Sequence, residues 1–208
     1  TPPRGLSTHK TIAGANLLRE SGADVINVSD NPMARMRMSP WALCHHIQRD
    51  VGIETALNFP TRGRSLIRVQ SDLLAIHDMN VRNIFVVMGD PTAIGDYPEA
   101  MDNYDLVPSG LIKLLKKGFN TGIDYSGSTI GYPTSFFIGT ALNLNPIDLN
   151  KEIHLLHKKI EVGADFILSQ PIYKPEIIQR FLEGYEKEFG SLDTPLLVGI
   201  LPLSNQRH

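Results

Sequence analysis

Six short apolar runs recur along the chain at a spacing of roughly thirty residues, the length of a strand, a crossover helix and two loops. They occupy residues 23–28, 53–57, 84–88, 135–142, 166–168 and 196–201, and each stops at a polar residue, a glycine or a proline. The runs are apolar without alternation, as in Ile84-Phe85-Val86-Val87, which is how parallel strands buried on both faces read. Consecutive βα units follow, and in a closed parallel barrel the strand exits share one rim where such folds do their chemistry. The exits are Ser29-Asp30, Asn58, Gly89-Asp90, Asn143, Ser169-Gln170 and Pro202-Leu203-Ser204. They form one set of candidate site residues.

Helices are readable between the runs. Ser7 can cap a helix through Ile12, Ala15 and Leu18 that ends at Gly22. Pro40 opens a second, with Trp41, Cys44, His45 and His46. The third follows Arg62-Gly63 and sets Leu66, Val69, Leu73 and Ile76 on one face. Asn145-Pro146 starts another, carrying Leu149, Ile153, Leu156 and Ile160 up to Gly163, and Pro175 opens the last. The interval from Asp90 to about Thr134 is longer and reads as irregular, and a long rim segment of that kind covers a ligand site.

A barrel of this type needs eight strands, and six are found, so residues 1–208 read as a single (βα)8 barrel domain lacking its first and last strands. An open six-stranded sheet is the alternative. With 42% hydrophobic residues the chain can bury a core, and a net charge of −2 gives no electrostatic case for nucleic acid or an anionic membrane. No apolar stretch approaches the roughly twenty residues of a membrane span, and the one cysteine, Cys44, suits a reducing compartment, so the expected location is cytoplasmic. One thiol also excludes a thiolate-rich zinc site, and no histidine–carboxylate pair has ligand spacing, so no metal is expected. Neither G-x-G-x-x-G after a strand nor G-x-x-x-x-G-K-[ST] occurs. Met33, Met36 and Met38, interleaved with Arg35 and Arg37, read as loop packing and solvated charge, with phosphate contact the lesser alternative.

Several of these segments resemble one family. Gly89-Asp90-Pro91 with Gly95-Asp96-Tyr97-Pro98 is similar to the loop after a central strand in methylenetetrahydrofolate reductases. So are the run Gly163-Ala164-Asp165-Phe166-Ile167-Leu168-Ser169-Gln170-Pro171, the run Gly199-Ile200-Leu201-Pro202, Pro2-Pro3-Arg4-Gly5, and Asn27-Val28-Ser29-Asp30-Asn31. The details resemble most the reductase half of bifunctional homocysteine methyltransferases. The resemblance implies an eight-stranded barrel holding FAD, NAD(P)H as reductant and reduction of 5,10-methylenetetrahydrofolate to 5-methyltetrahydrofolate. It also implies folate and nicotinamide ligands, a homo-oligomer, and fusion to an N-terminal methyltransferase domain.

By the same resemblance Asp90 is the catalytic carboxylate beside flavin and pterin, stabilising the iminium cation formed as the methylene bridge opens. Gln170 contacts folate and nicotinamide. Ser29, Asn58, Met88, Gly89, Asp90, Asn143, Asn145, Glu152 and Lys159 are the cofactor-binding positions, with Lys159 near the diphosphate and Glu152 near the adenosine. Each residue type also has a plainer use: Asp90 as a helix cap, Gln170 as a satisfied barrel-layer polar, Lys159 as surface charge, Ser29 as a turn-former.

Four positions depart from the family pattern. Asn58 and Asn145 stand where histidines are usual, Gly63 where an aspartate is, and Gln206 near an aromatic that stacks on folate. The family's general-acid glutamate would fall two residues before Thr1, so the 208-residue chain alone is expected not to turn over. Two other classes remain: a flavin-binding or scaffolding partner without chemistry, motivated by Asn58, Asn145 and Gly63, and a phosphosugar aldolase or isomerase barrel. The second would want a lysine at a strand end, and Lys174 comes several residues late.

Overall fold

The computed structural model describes residues 1–202; Gln206 and the Leu203-Ser204 exit lie outside the described residues. Six strands, β1 Val25–Val28, β2 Glu54–Pro60, β3 Asn83–Val87, β4 Phe137–Leu142, β5 Phe166–Pro171 and β6 Leu196–Gly199, form one all-parallel sheet in sequence order. Helices α1 His9–Glu20, α2 Pro40–His46, α3 Leu66–Asp78, α4 Pro108–Lys113, α5 Leu149–Glu161 and α6 Glu176–Phe189 alternate with the strands. The result is a curled half-barrel of the (βα)-barrel kind. No pairing joins β6 to β1 among the described residues, so the sheet has two free edges.

The odd-numbered side chains of β2 show how the sheet sorts its faces. Leu57 and Phe59 are fully buried with the helix side chains, and Phe59 packs on Trp41 of α2. Strand alternation therefore turns Ala56, Asn58 and Pro60 to the opposite, concave face. The register continues that row: Asn58 sits beside Phe85, Phe85 beside Gly139, and Gly139 beside Phe166. The Phe85, Phe137 and Phe166 rings stack at 5.3–6.4 Å between centres and floor the concave face. Gly139 lies beneath Phe166, where a Cβ would come within 2.2 Å of the ring. On the convex side one core joins β1–β4 to α2–α4, and a second joins β4–β6 to α5 and α6.

Expected elements and observed ones differ in four places. Strands β2 and β5 run on through Asn58 and through Ser169-Gln170, because pairing to β3 and β6 continues past the polar residues. Thus Asn58 and Gln170 are strand residues on the concave face and not loop residues. Ser7 does not cap α1, whose N-cap is Thr8 without a side-chain bond, and α5 begins at Leu149 with Asp148 accepting from the Lys151 N–H. The 90–134 interval is not wholly irregular: α4 starts on Pro108 and continues through Thr121, burying Leu111, Ile112, Leu115 and Phe119. Cys44 is buried among apolar side chains, which pushes its thiol pKa up to about 12 and leaves it inert. Among the described residues no helix is long and apolar enough to cross a membrane, and no group of His, Cys, Asp and Glu could hold a metal.

Candidate active site

All six strands point the same way, so their C-terminal ends make one edge. At the β1–β3 end of that edge lies a cavity of about 460 Å³ lined by Asp30, Arg62, Arg64, Asp72, Gly89 and Asp90, with Trp41 and Tyr97 among its walls. Arg64 organises it. Its Nη2 donates to Asp30 Oδ2 at 2.8 Å and its Nη1 to Asp72 Oδ2 at 2.7 Å. Its guanidinium lies 4.6 Å from the Phe59 ring centre and 5.1 Å from that of Trp41. All three charged side chains are almost wholly buried, and an Arg fork between two carboxylates and two aromatic faces is the arrangement that satisfies such burial. Burial still pushes the Asp30 carboxyl above the ordinary 3.8, against the pull of Arg64, which Asp72 shares.

Just above pH 3.8 the folded state holds Asp30's proton more firmly than the unfolded chain does, so this group makes stability fall as pH rises through that window. Asp30→Asn removes the term. Urea unfolding between about pH 4 and 6 should then show stability rising more steeply with pH than in the wild type. An unchanged slope would contradict the buried, proton-holding carboxyl.

Asp90 follows β3 after Gly89, whose φ of +90° and near contact with Pro60 (2.9 Å to a would-be Cβ) admit only glycine. Its Oδ2 accepts the Met33 N–H at 2.6 Å, from the segment after β1. Arg62, two residues past the end of β2, is tied to Asp102 at 2.7 Å and to the Gly89 carbonyl at 3.2 Å. Gly63 adopts φ +70°, a left-handed conformation that glycine takes without cost, and its N–H donates to the Asn103 carbonyl at 2.8 Å. Ser29 Oγ lies 3.4 Å from Thr1 Oγ1, and Met88 Sδ lies 3.4 Å from Thr61 Oγ1.

Gln170 lines a different cavity, of about 380 Å³, with Asn145, Leu144 and Tyr173. Asp90 and Gln170 thus share the rim but not a cavity. Their strands are separated only by β4, roughly 10 Å at ordinary strand spacing. Asn58 lies on β2, on the far side of β3 from Gln170, and its Oδ1 is buried and has no partner among the described residues. Asn143, past β4, donates its N–H to Glu152 Oε1 at 3.1 Å, and its Oδ1 accepts the Asn145 N–H at 3.0 Å. Lys159 Nζ donates to the Ala141 carbonyl at 2.9 Å, and burial lowers its ammonium pKa while Glu152 opposes the change. Glu152 and Lys159 are therefore engaged with the end of β4.

The family profile described as Methylenetetrahydrofolate reductase matches residues 1–208. The chain belongs to the methylenetetrahydrofolate reductase family. It is similar to methylenetetrahydrofolate reductase 1 of Schizosaccharomyces pombe, 24% identical over 158 residues, 76% of this chain and 24% of that protein. It is likewise similar to methylenetetrahydrofolate reductase (NADH) 1 of Arabidopsis thaliana, 24% identical over 174 residues, 79% of this chain and 28% of that one. The chain spans about a quarter of the length of these curated relatives.

Among solved structures it resembles an uncharacterised protein from Clostridium thermocellum described as binding two copies of 5-methyl-5,6,7,8-tetrahydrofolic acid. The TM-score is 0.62 at 14% identity, over 95% of this chain and 61% of that one. A phosphoenolpyruvate phosphomutase from Streptomyces platensis superposes with a TM-score of 0.58 at 15% identity, over 89% of this chain and 64% of that one. At these identities the likeness speaks for the barrel fold alone.

Sequence reasoning placed Asp30, Gly89 and Asp90 at the rim, and the structure adds what it missed: Arg64 as the hub, Asp72 and Trp41 as its partners. One signal was present. Asp72 interrupts the apolar stripe of α3 between Val69 and Leu73, and a carboxylate on a core-facing stripe calls for a buried cation.

Proposed function

We propose that the protein takes part in FAD-dependent reduction of 5,10-methylenetetrahydrofolate to 5-methyltetrahydrofolate by NAD(P)H. The observation carrying this reading is the unpartnered, buried Asn58 Oδ1 on the aromatic-floored concave face, beside Phe85 in the middle of the strand that leads to Asp90. A polar acceptor facing an apolar, ring-lined floor suits a flat heteroaromatic group with donors at its edge, so the residues present fit a flavin ring. Bound FAD would supply a two-electron carrier between nicotinamide and folate.

The chain's own residues divide the remaining work. Asn58, Ser29, Met88 and Gly89 would hold the ring end, with Gly89 letting the backbone approach closely. Asn143 and Asn145 lie toward the other side of β4. Glu152 and Lys159 fit less directly, because Lys159 would have to release the Ala141 carbonyl and Glu152 the Asn143 N–H to reach a ligand. Asp90 would place a negative charge where the opening methylene bridge becomes an iminium cation. Gln170, whose amide makes no side-chain hydrogen bond among the described residues, would read the pterin edge or a carboxamide.

Two measurements test this. The full-length gene product purified in air should be yellow and, once air is removed, should bleach with NADH or NADPH; a colourless protein, or a flavin that neither reductant bleaches, overturns the reading. Asn58→Leu removes a buried acceptor that has no partner in the protein, so its stability should be unchanged or slightly higher. The same variant should bind flavin about tenfold more weakly by fluorescence quenching, the worth of one hydrogen bond that forms only with ligand. Equal flavin affinity in both proteins would remove Asn58 from the site.

A further inference from the structure

We propose that Asn31 is a positioning residue: its amide ties the buried Arg64 triad to the 32–37 strap, and through the strap it fixes the direction of the Asp90 carboxylate. The use of that carboxylate rests on the reaction proposed above, and the tie itself does not. Asn31 follows Asp30 just past β1 and lines the same cavity as Asp90. Its Nδ2 donates to Asp30 Oδ1 at 2.6 Å, and its Oδ1 accepts the Arg37 N–H at 2.7 Å. The other Asp30 oxygen is taken by Arg64 at 2.8 Å. One end of the amide is thus held by a buried ion network and the other by backbone six residues on. Turning the amide over would set its oxygen against a carboxylate and its NH2 against an N–H, so a single orientation satisfies both partners.

The strap needs such a tie. Asn31, Met33 and Ala34 all have positive φ (39°, 59° and 51°), a conformation that side-chain-bearing residues rarely keep without a reason. Here the strained turn delivers the Met33 N–H to Asp90 Oδ2 at 2.6 Å. The strap also lies directly on the loop after β3. Met36 N–H donates to Asp96 Oδ2 at 3.0 Å and Asp96 N–H to the Ala34 carbonyl at 3.2 Å, while a Cβ on Gly95 would overlap that carbonyl. The sequence suggests loop packing for this methionine-rich segment, and its backbone N–H groups give it a further use. Asp90 is exposed and on a loop, and the Met33 N–H makes the one hydrogen bond to its side chain among the described residues. A carboxylate is planar, so holding Oδ2 decides where Oδ1 points.

Glycine accepts a φ of 39° without strain, so Asn31→Gly should fold and remove only the two side-chain bonds. Asn31→Asp keeps the acceptor for Arg37 and loses the donor to Asp30. In the full-length protein, residue-resolved hydrogen exchange should show the Met33 N–H exchanging about tenfold faster in both variants, with Val86 of β3 unchanged. A Met33 N–H that either variant leaves unchanged, or that is unprotected in the wild type, overturns the proposal and makes Asn31 a local turn-former. Kinetics supply the second readout. Asn31→Gly should lower kcat/KM for methylenetetrahydrofolate about tenfold while nicotinamide still bleaches the flavin. In an Asp90→Ala background, where the Met33 bond is already gone, the same substitution should cost less than about twofold. Equal losses in the two backgrounds would mean a merely structural role and would also overturn the proposal. A wild-type protein that does not reduce methylenetetrahydrofolate would sink the reaction, and the exchange rates would still decide the tie.

Discussion

Arg64→Met is expected to lower the unfolding free energy by about 3–5 kcal/mol at neutral pH, the cost of leaving buried charges without their counter-ion. Asp30 and Asp72 both point at this guanidinium and both are nearly inaccessible to water. Arg68 still reaches Asp72 at 3.2 Å but is itself exposed, so it cannot replace Arg64, and among the described residues no other cation pairs with Asp30. Methionine keeps the stem's packing between Trp41 and Phe59, so the loss reports charge and hydrogen bonding and not a cavity. The deficit should shrink toward pH 4 as the Asp30 carboxyl takes its proton, and Asp30→Asn combined with Arg64→Met should recover part of it. Urea midpoints of the two single variants and the double variant give the coupling directly. A single-variant loss below about 1 kcal/mol would mean that the triad is merely tolerated.

How much of this could be read from the chain differs between backbone and site. The six strands were legible because each carries a run of apolar residues, most plainly Ile84-Phe85-Val86-Val87 of β3, where Ile84, Phe85 and Val86 are buried on successive faces of the sheet. Strand ends were less so. Asn58 reads as a stop, yet Phe59 is fully buried beyond it and pairing to Val86 continues, so this polar residue sits in mid-strand on the concave face. A concave face that binds something must carry polar atoms in mid-strand, and that is where a rule based on apolar runs fails. Helix α4 went unread for a related reason: the glycine- and serine-rich stretch after it drew attention from Pro108 and from the buried Leu111, Ile112 and Leu115 at helical spacing.

The site was legible only where residues adjoin in sequence. Gly89-Asp90 is local, and its rim position followed from the strand before it. Arg64 joins Asp30, thirty-four residues away, to Asp72, eight residues away, across three elements. No period or motif encodes that meeting. The strap is similar: Asp90 and Asp96 hold backbone N–H groups fifty-seven and sixty residues earlier, and only the fold brings them together. Asp90 therefore has two partners to satisfy, the strap it anchors and the cation it is proposed to face.

Those two duties separate in a pair of substitutions. Asp90→Asn keeps a side-chain oxygen that can accept the Met33 N–H, so the strap stays in place, while the negative charge is gone. In the full-length protein this variant should reduce methylenetetrahydrofolate about 10²–10³-fold more slowly in kcat, with KM little changed. That is the usual worth of a charge aimed at a developing cation. Bleaching of the flavin by nicotinamide involves no iminium cation and should survive. Asp90→Ala removes the acceptor as well, and the strained 31–34 turn loses one of the bonds that holds it. The alanine variant should therefore raise KM, which the asparagine variant should not, in addition to lowering kcat. If Asp90→Asn reduced folate at the wild-type rate, the charge would have to come from elsewhere, and Asp30, held by Arg64 in the same cavity, would be the residue to change next.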